Sequence, residues 1–187
     1  ELGVSAMAPY RHVGSKDGLL ELIFDRVIGE VEMPEPEPDR WQEQLKEVAR
    51  HQRRVSLRHP YVVRISIGRI PMGPNALQYS ERVLGILRAG GLPPRLAVQG
   101  YLVLIATVNG FTVDETGVED SGAPDRDPAH LAEAAEMARD YIASLPTNLF
   151  PNMTSLASEF ALADPDERFE LLLDIFVDGL ARRAAAA

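Results

Sequence analysis

Five consecutive residues, Pro34-Glu35-Pro36-Glu37-Pro38, constrain this chain more than any others. Proline fixes φ, lacks an N–H for a helix or a strand ladder, and drives the preceding residue into extended backbone. Proline alternating with acid therefore permits only an extended linker. Before it, Leu20, Ile23, Phe24, Val27, Ile28 and Val31 recur at helical spacing behind Ser15, a candidate N-cap. After it, Asp39 with Gln42 forms a capping-box pattern, and Trp41, Leu45, Val48, Gln52 and Val55 share one helical face until Pro60.

The remaining punctuation gives the same periodicity. A short helix is expected near Tyr61 to Ile67, then turn chemistry at Ile70-Pro71-Met72-Gly73-Pro74. A helix from about Asn75 to Arg88 is stopped by Gly90-Gly91. Pro93-Pro94 opens a long helix, and Asp114 to Asp127 reads as a loop. Asp127-Pro128 begins a helix to about Ser144, and Met153 to Ala163 a further short one. Asp164-Pro165-Asp166-Glu167 opens the last helix, with the stripe Phe169, Leu172, Phe176 and Leu180 and with Arg182-Arg183 near its end, as the helix dipole favours. No segment alternates with period two and no repeat of fixed length occurs. The expected fold is all-α: a partial N-terminal helix-turn-helix with a connecting helix over 1–33, and a helical bundle over 39–187.

Composition narrows the function classes. At 187 residues with 45% hydrophobic and 25% charged residues, the chain can bury a sizeable core. There is no cysteine, which excludes disulfides and thiolate metal sites and suits a cytoplasmic protein. The four histidines, His12, His51, His59 and His130, show no metal-ligand spacing, so neither metal nor cofactor is expected. No nucleophile elbow or phosphate-cradling glycine loop occurs, so an enzyme is not expected. Leu96 to Val113 carries no charge over about the length of a membrane span. Gln99, Gly100, Thr107, Asn109, Gly110 and Thr112 make a helix buried on most of its circumference the better reading, and no membrane partner is expected. A net charge of −9 argues against an overall basic coat but leaves room for a local DNA-reading face.

Such a face is suggested at the N-terminus. Glu-Leu-Gly-Val-Ser-Ala-Met-Ala-Pro-Tyr-Arg-His-Val-Gly-Ser-Lys reads as a helix end, a glycine turn and a short helix capped by Ser5, the back half of a helix-turn-helix. Val4 and Val13 can lock that helix in place. Ser5, Ala6, Tyr10, Arg11 and His12 would then be outward, small enough or polar enough for a major groove and its phosphates. Lys16, at the start of the next helix, suits a phosphate. The chain opens inside this motif, so the protein as synthesised is expected to extend further at its N-terminus.

Leu-Gly-Val-Ser, Tyr-Arg-His-Val, Ser-Lys-Asp and the Leu19-Leu20 pair resemble the recognition-helix signature of the tetracycline-repressor (TetR) family over residues 1 to about 24. The all-helical remainder resembles that family's C-terminal domain. The resemblance implies a DNA-binding regulator, a repressor released by a small-molecule effector and acting as a homodimer on a palindromic double-stranded operator. It sets Tyr10 and His12 on phosphates or bases, Ser5, Ala6 and Met7 towards the groove, and Lys16 on phosphate. Pro9 departs from the family's usual leucine and bears on the shape of the reading face. The alternative is a helical small-molecule-binding or scaffold protein that no longer reads DNA.

Within the helical domain, Tyr79, Tyr101, Asn109 and Thr112 are candidate ligand-lining groups, because polar atoms on apolar helices need partners. The long uncharged helix and the final helix are the candidate dimer seam. The connecting helix from Ser15 to about Val31 would carry a ligand's effect to the reader. Arg50, Arg53, Arg54, Arg58, Arg64 and Arg69 form a basic run, read as a solvated face paired with acids rather than a second anion site.

Overall fold

The computed structural model describes residues 15–62, 71–116, 128–161 and 164–186; Ser5 to His12, Arg64 and Arg69 lie outside these. The described secondary structure is helical throughout: α1 (Lys16–Ile28), a 3₁₀ turn at Pro38–Arg40, α2 (Trp41–Arg58), α3 (Pro74–Ala89), α4 (Pro94–Thr116), α5 (Pro128–Ala143), α6 (Pro151–Ser155), α7 (Ala157–Ala161) and α8 (Pro165–Ala185). The contacts divide the chain into two units, one of residues 1–116 with 173–187, the other of residues 117–172.

In the first unit α1 packs on α2 and α3, and α2, α3 and α4 pack on one another. The spacing of three and four in α2 buries Leu45, Val48, Ala49 and Val55 against Val83, Ile86 and Leu87 of α3 and Leu104 and Val108 of α4. Each large aliphatic side chain so buried contributes about 2 kcal/mol. In the second unit α5 packs on α6 and α7. The start of α8 carries the expected cap, Asp164 Oδ1 accepting from the Asp166 and Glu167 amides at 2.6 and 3.2 Å.

Several expectations are corrected. The connecting helix ends at Ile28 with Gly29 as its cap, so Val31 is buried outside it. No capping box forms at Asp39, because Pro38 opens a 3₁₀ turn and α2 starts at Trp41 without a side-chain cap. The linker is pinned instead by the buried Gln44, whose Nε2 donates to Glu35 O at 2.6 Å while its Oε1 accepts from Glu37 N at 2.9 Å. Arg82 of α3 bonds Glu35 and holds that carboxyl below its usual pKa. Asp114 to Thr116 extend α4 rather than opening a loop, with Thr116 bonding Thr112 O one turn back. The buried stripe of α8 is Phe169, Leu173, Val177 and Leu180, one residue off the expected stripe in its middle. Finally, α4 is not buried on most of its circumference. Ala97, Gly100, Leu104, Val108, Thr112 and Thr116 form its buried stripe, while Val98, Leu102 and Val103 are exposed. By length and composition α4 could cross a membrane, and it is the one described helix of which that is true.

Candidate functional site

A cavity of about 640 Å³ opens among the helices of the first unit. Its apolar wall comes from Phe24, Val27 and Ile28 of α1, Val55 of α2, Ala76 and Leu77 of α3, and Ile105 and Ala106 of α4. The volume falls in the range of small-molecule sites. Residues 101, 102, 105, 106, 109 and 110 reach it because i, i+4 and i+8 share one face of a helix, beside the face that α4 buries in the core.

Two chains of hydrogen bonds supply the polar part of the wall. In the first, the Tyr79 hydroxyl donates to Gln52 Oε1 at 2.5 Å and Gln52 Nε2 donates to Asn109 Oδ1 at 2.9 Å. In the second, the Tyr101 hydroxyl lies 2.7 Å from Ser80 Oγ, which donates to Ala76 O at 2.8 Å. All five side chains line the cavity. Burial, with the neighbouring Tyr101 adding to it, pushes the Tyr79 phenol far above its ordinary pKa, so it stays neutral and can donate.

Beside the cavity, α1 is fastened to α3 by a carboxylate. Asp25 is buried, and its Oδ1 accepts from the Ala76 amide at 2.9 Å while its Oδ2 accepts from Asn75 Nδ2 at 3.0 Å. Asn75 Nδ2 also reaches Asp25 O at 3.1 Å. The helix α3 begins behind Gly73, which has no side chain to cap it, so Asp25 supplies the acceptor that the first turn lacks. Gly73 is required for this approach: a Cβ there would stand 2.2 Å from Asp25 Oδ1.

Of the residues expected to line a ligand site, Tyr79, Tyr101 and Asn109 do line this cavity. Thr112 does not; it is fully buried in the core face of α4 and its hydroxyl donates to Val108 O at 2.8 Å. Sequence reasoning missed Gln52 and Ser80, although Gln52, a polar residue within the apolar stripe of α2, was a readable signal. Asp25 was also missed. Lys16 is exposed in the first turn of α1, behind the Ser15 cap, whose Oγ accepts from Gly18 N at 3.0 Å. Of the arginine run, three are paired with acids: Arg50 with Glu43, Arg58 with Glu30, and Arg53, which is largely buried rather than solvated, with Glu115 through two bonds of 2.7 and 3.0 Å. Arg53 also lies over the Phe111 ring, 5.5 Å from its centre.

A second cavity, of about 460 Å³, lies between α4 and the C-terminal half of α8, lined by Leu96, Gln99 and Val103 on one side and Ile175, Phe176 and Gly179 on the other. Here the two helices come close, for a Cβ on Gly100 would sit 3.2 Å from the Leu180 methyls. Val103 is 50% and Ile175 65% exposed, a large apolar surface for a free helix face.

Residues 33–184 match the sequence profile of the family described as "Tetracyclin repressor-like, C-terminal domain". Among solved structures, apo ActR from Streptomyces coelicolor is 41% identical with a TM-score of 0.82, the match covering 95% of this chain and 80% of that one. ActR in complex with actinorhodin is 40% identical with a TM-score of 0.83, covering 97% and 83%. An HTH-type transcriptional regulator of Saccharopolyspora erythraea is 35% identical over 108 residues, 54% of this chain and 46% of the relative. The HTH-type transcriptional repressor DrrR1 of Streptomyces coeruleorubidus is 36% identical over 110 residues, 55% of this chain and 41% of the relative. The matched stretch therefore spans less than half the length of these two curated relatives. With its profile match running from just before the proline linker almost to the C-terminus, and with this arrangement of helices, the chain belongs to the tetracycline-repressor (TetR) family.

Proposed function

We propose that this chain belongs to a DNA-binding transcriptional regulator, a cytoplasmic repressor whose hold on a palindromic operator is released when a small molecule enters the 640 Å³ cavity. In this reading residues 1–33 are part of the reader and its connecting helix, and residues 39–187 form the sensing and dimerising domain. One observation carries the proposal: Phe24, Val27 and Ile28 of α1 form part of the cavity wall, and α1 starts directly after the reader segment. A molecule filling the cavity meets the connecting helix itself, so its binding energy acts on the element that positions the reader. The similarity to ActR, crystallised with actinorhodin, supports a ligand-holding role, and the similarity to DrrR1 supports repression.

The reader residues of this reading remain Ser5, Ala6, Met7, Tyr10, Arg11 and His12, with Lys16 on phosphate. The exposed apolar faces of α4 and α8 are the seam of a homodimer, which sets two readers one DNA turn apart. No catalysis is assigned.

The test uses the gene product from its own start codon, titrated against its upstream DNA at two salt concentrations beside a Tyr10→Ala, Lys16→Ala double variant. Tight binding to one palindromic segment, weakened by salt and lost in the double variant, is the expected result. Binding no tighter than to random DNA refutes the regulator and leaves the cavity as the function. A Gly110→Leu variant, whose side chain would enter open space at the cavity wall, should keep operator affinity and lose release by the effector.

A further inference from the structure

The polar groups of the large cavity do not offer hydrogen bonds indiscriminately. Tyr79 is 4% exposed and its hydroxyl meets Gln52, so its proton has to point at an acceptor, Gln52 Oε1. That orientation fixes the Gln52 amide, whose Nε2 then donates to Asn109 Oδ1 at 2.9 Å. The Asn109 carbonyl is thereby occupied, and its Nδ2 donors are what Asn109 offers to the cavity. Turning both amides round would strand the Tyr79 proton in the core, a cost of a buried unmet donor.

The second chain has the opposite polarity. Ala76 O can only accept, so the 2.8 Å contact commits the Ser80 proton to it. The 2.7 Å contact between Ser80 and Tyr101 then has Tyr101 as its donor, and Tyr101 Oη keeps only lone pairs for an occupant. Tyr101 and Asn109 are eight residues apart on α4, about 12 Å along its axis at 1.5 Å per residue. Ile105 and Ala106 fill the interval with apolar surface.

We infer that the cavity takes an elongated, largely apolar molecule carrying a hydrogen-bond acceptor, a carbonyl or ether oxygen, at the Asn109 end and a hydroxyl donor at the Tyr101 end. The inference rests on the sensing role proposed above and names the class of molecule sensed. With the two groups reversed, the carbonyl would meet the Tyr101 lone pairs, acceptor against acceptor, and that mismatch disfavours the reversed order.

The test is calorimetric binding to this chain, without DNA, of 4-acetyl-4′-hydroxybiphenyl, a neutral rod with a hydroxyl at one end and a carbonyl at the other. Removing the hydroxyl (4-acetylbiphenyl) or the carbonyl (4-ethyl-4′-hydroxybiphenyl) should each weaken binding about five-fold, the worth of one neutral hydrogen bond. In Tyr101→Phe the hydroxyl should cease to matter, and in Asn109→Asp the carbonyl should cease to help. Both variants leave the surroundings intact: Ser80 keeps Ala76 O, and Gln52 keeps an acceptor at position 109. Discrimination that survives in either variant, or a parent probe that does not bind at its solubility limit, overturns the inference. Operator release is read in the separate DNA titration, so a failure of the sensing role and a failure of this donor–acceptor order are told apart.

Discussion

Replacing Asp25 by alanine should cost the first unit about 3 kcal/mol. The figure is built from the contacts of the carboxylate. Asp25 is the N-terminal cap of α3, a role worth about 1 kcal/mol, and without it the Ala76 amide and the Asn75 side chain lose acceptors in a part-buried place, at about 1–3 kcal/mol. Water cannot easily replace the lost oxygens, because Asp25 is only 6% exposed. Asp25→Asn keeps one carbonyl for Ala76 but turns an amide towards the Asn75 amide, and should cost about half as much. The assay is urea unfolding at fixed protein concentration, followed by the emission of Trp41, the chain's one tryptophan, which is buried in the same unit. An Asp39→Ala variant is the control, since Asp39 is exposed and precedes a helix without a side-chain cap. A loss below about 1 kcal/mol, or one no larger than that of the control, would refute the cap and with it the fastening of α1 to α3.

Gly73→Ala should destabilise by a similar amount, because its Cβ would displace the Asp25 carboxylate, and the two substitutions together should cost little more than one in the same unfolding assay. The raised Tyr79 pKa means that the contribution of the neutral phenol is complete below the ordinary value of about 10 and is lost only as pH rises through the folded value. In a near-ultraviolet phenolate titration of the folded chain, Tyr79→Phe should leave the amplitude unchanged; a reduced amplitude contradicts the burial. Glu115→Gln should cost about 2 kcal/mol by breaking the two-pronged bond to Arg53, whose side chain is 12% exposed, and a change within error would show that pair to be idle. If the proposed dimer seam lies on this face, Ile175→Glu, at a site 65% exposed, should leave the helical circular dichroism unchanged and shift sedimentation towards the monomer; an unshifted profile refutes a seam on this face.

Much of this fold is written in local chemistry. Ser15, Pro94, Pro128 and Pro165 each mark a helix start in the sequence, and the structure begins α1, α4, α5 and α8 at or beside them. The linker is legible because proline needs no partner to be extended. What could not be read depends on partners distant in the chain. Asp25 caps a helix that starts about fifty residues later, so nothing in its own neighbourhood distinguishes it from a solvated acid on a helix. Gln44 pins the linker because it can reach back to Glu35 and Glu37, while the cap expected of Asp39 does not form. At the candidate site, Tyr79, Tyr101 and Asn109 stand out as polar groups on apolar helices. Thr112 shares that pattern yet satisfies itself on Val108 O, a local bond that serine and threonine always have available. Gln52 breaks the apolar stripe of α2 and so could have been read, whereas Ser80 was hidden because its importance lies in whom it bonds.

The two anchorages of α4 have a mechanical consequence. Near one end Gly100 lies against Leu180, and near the other Glu115 is gripped by Arg53, while the length from Tyr101 to Gly110 faces the large cavity. A rod supported at both ends and loaded at mid-span responds by bowing, and a long helix accepts gentle curvature cheaply. An occupant pressing on Ile105 and Ala106 would therefore tilt the two ends of α4 in opposite senses instead of sliding the helix along its axis. A second copy docked on Val98 and Val103 would register that tilt as a rotation, so the girth of the occupant would be read out as an angle.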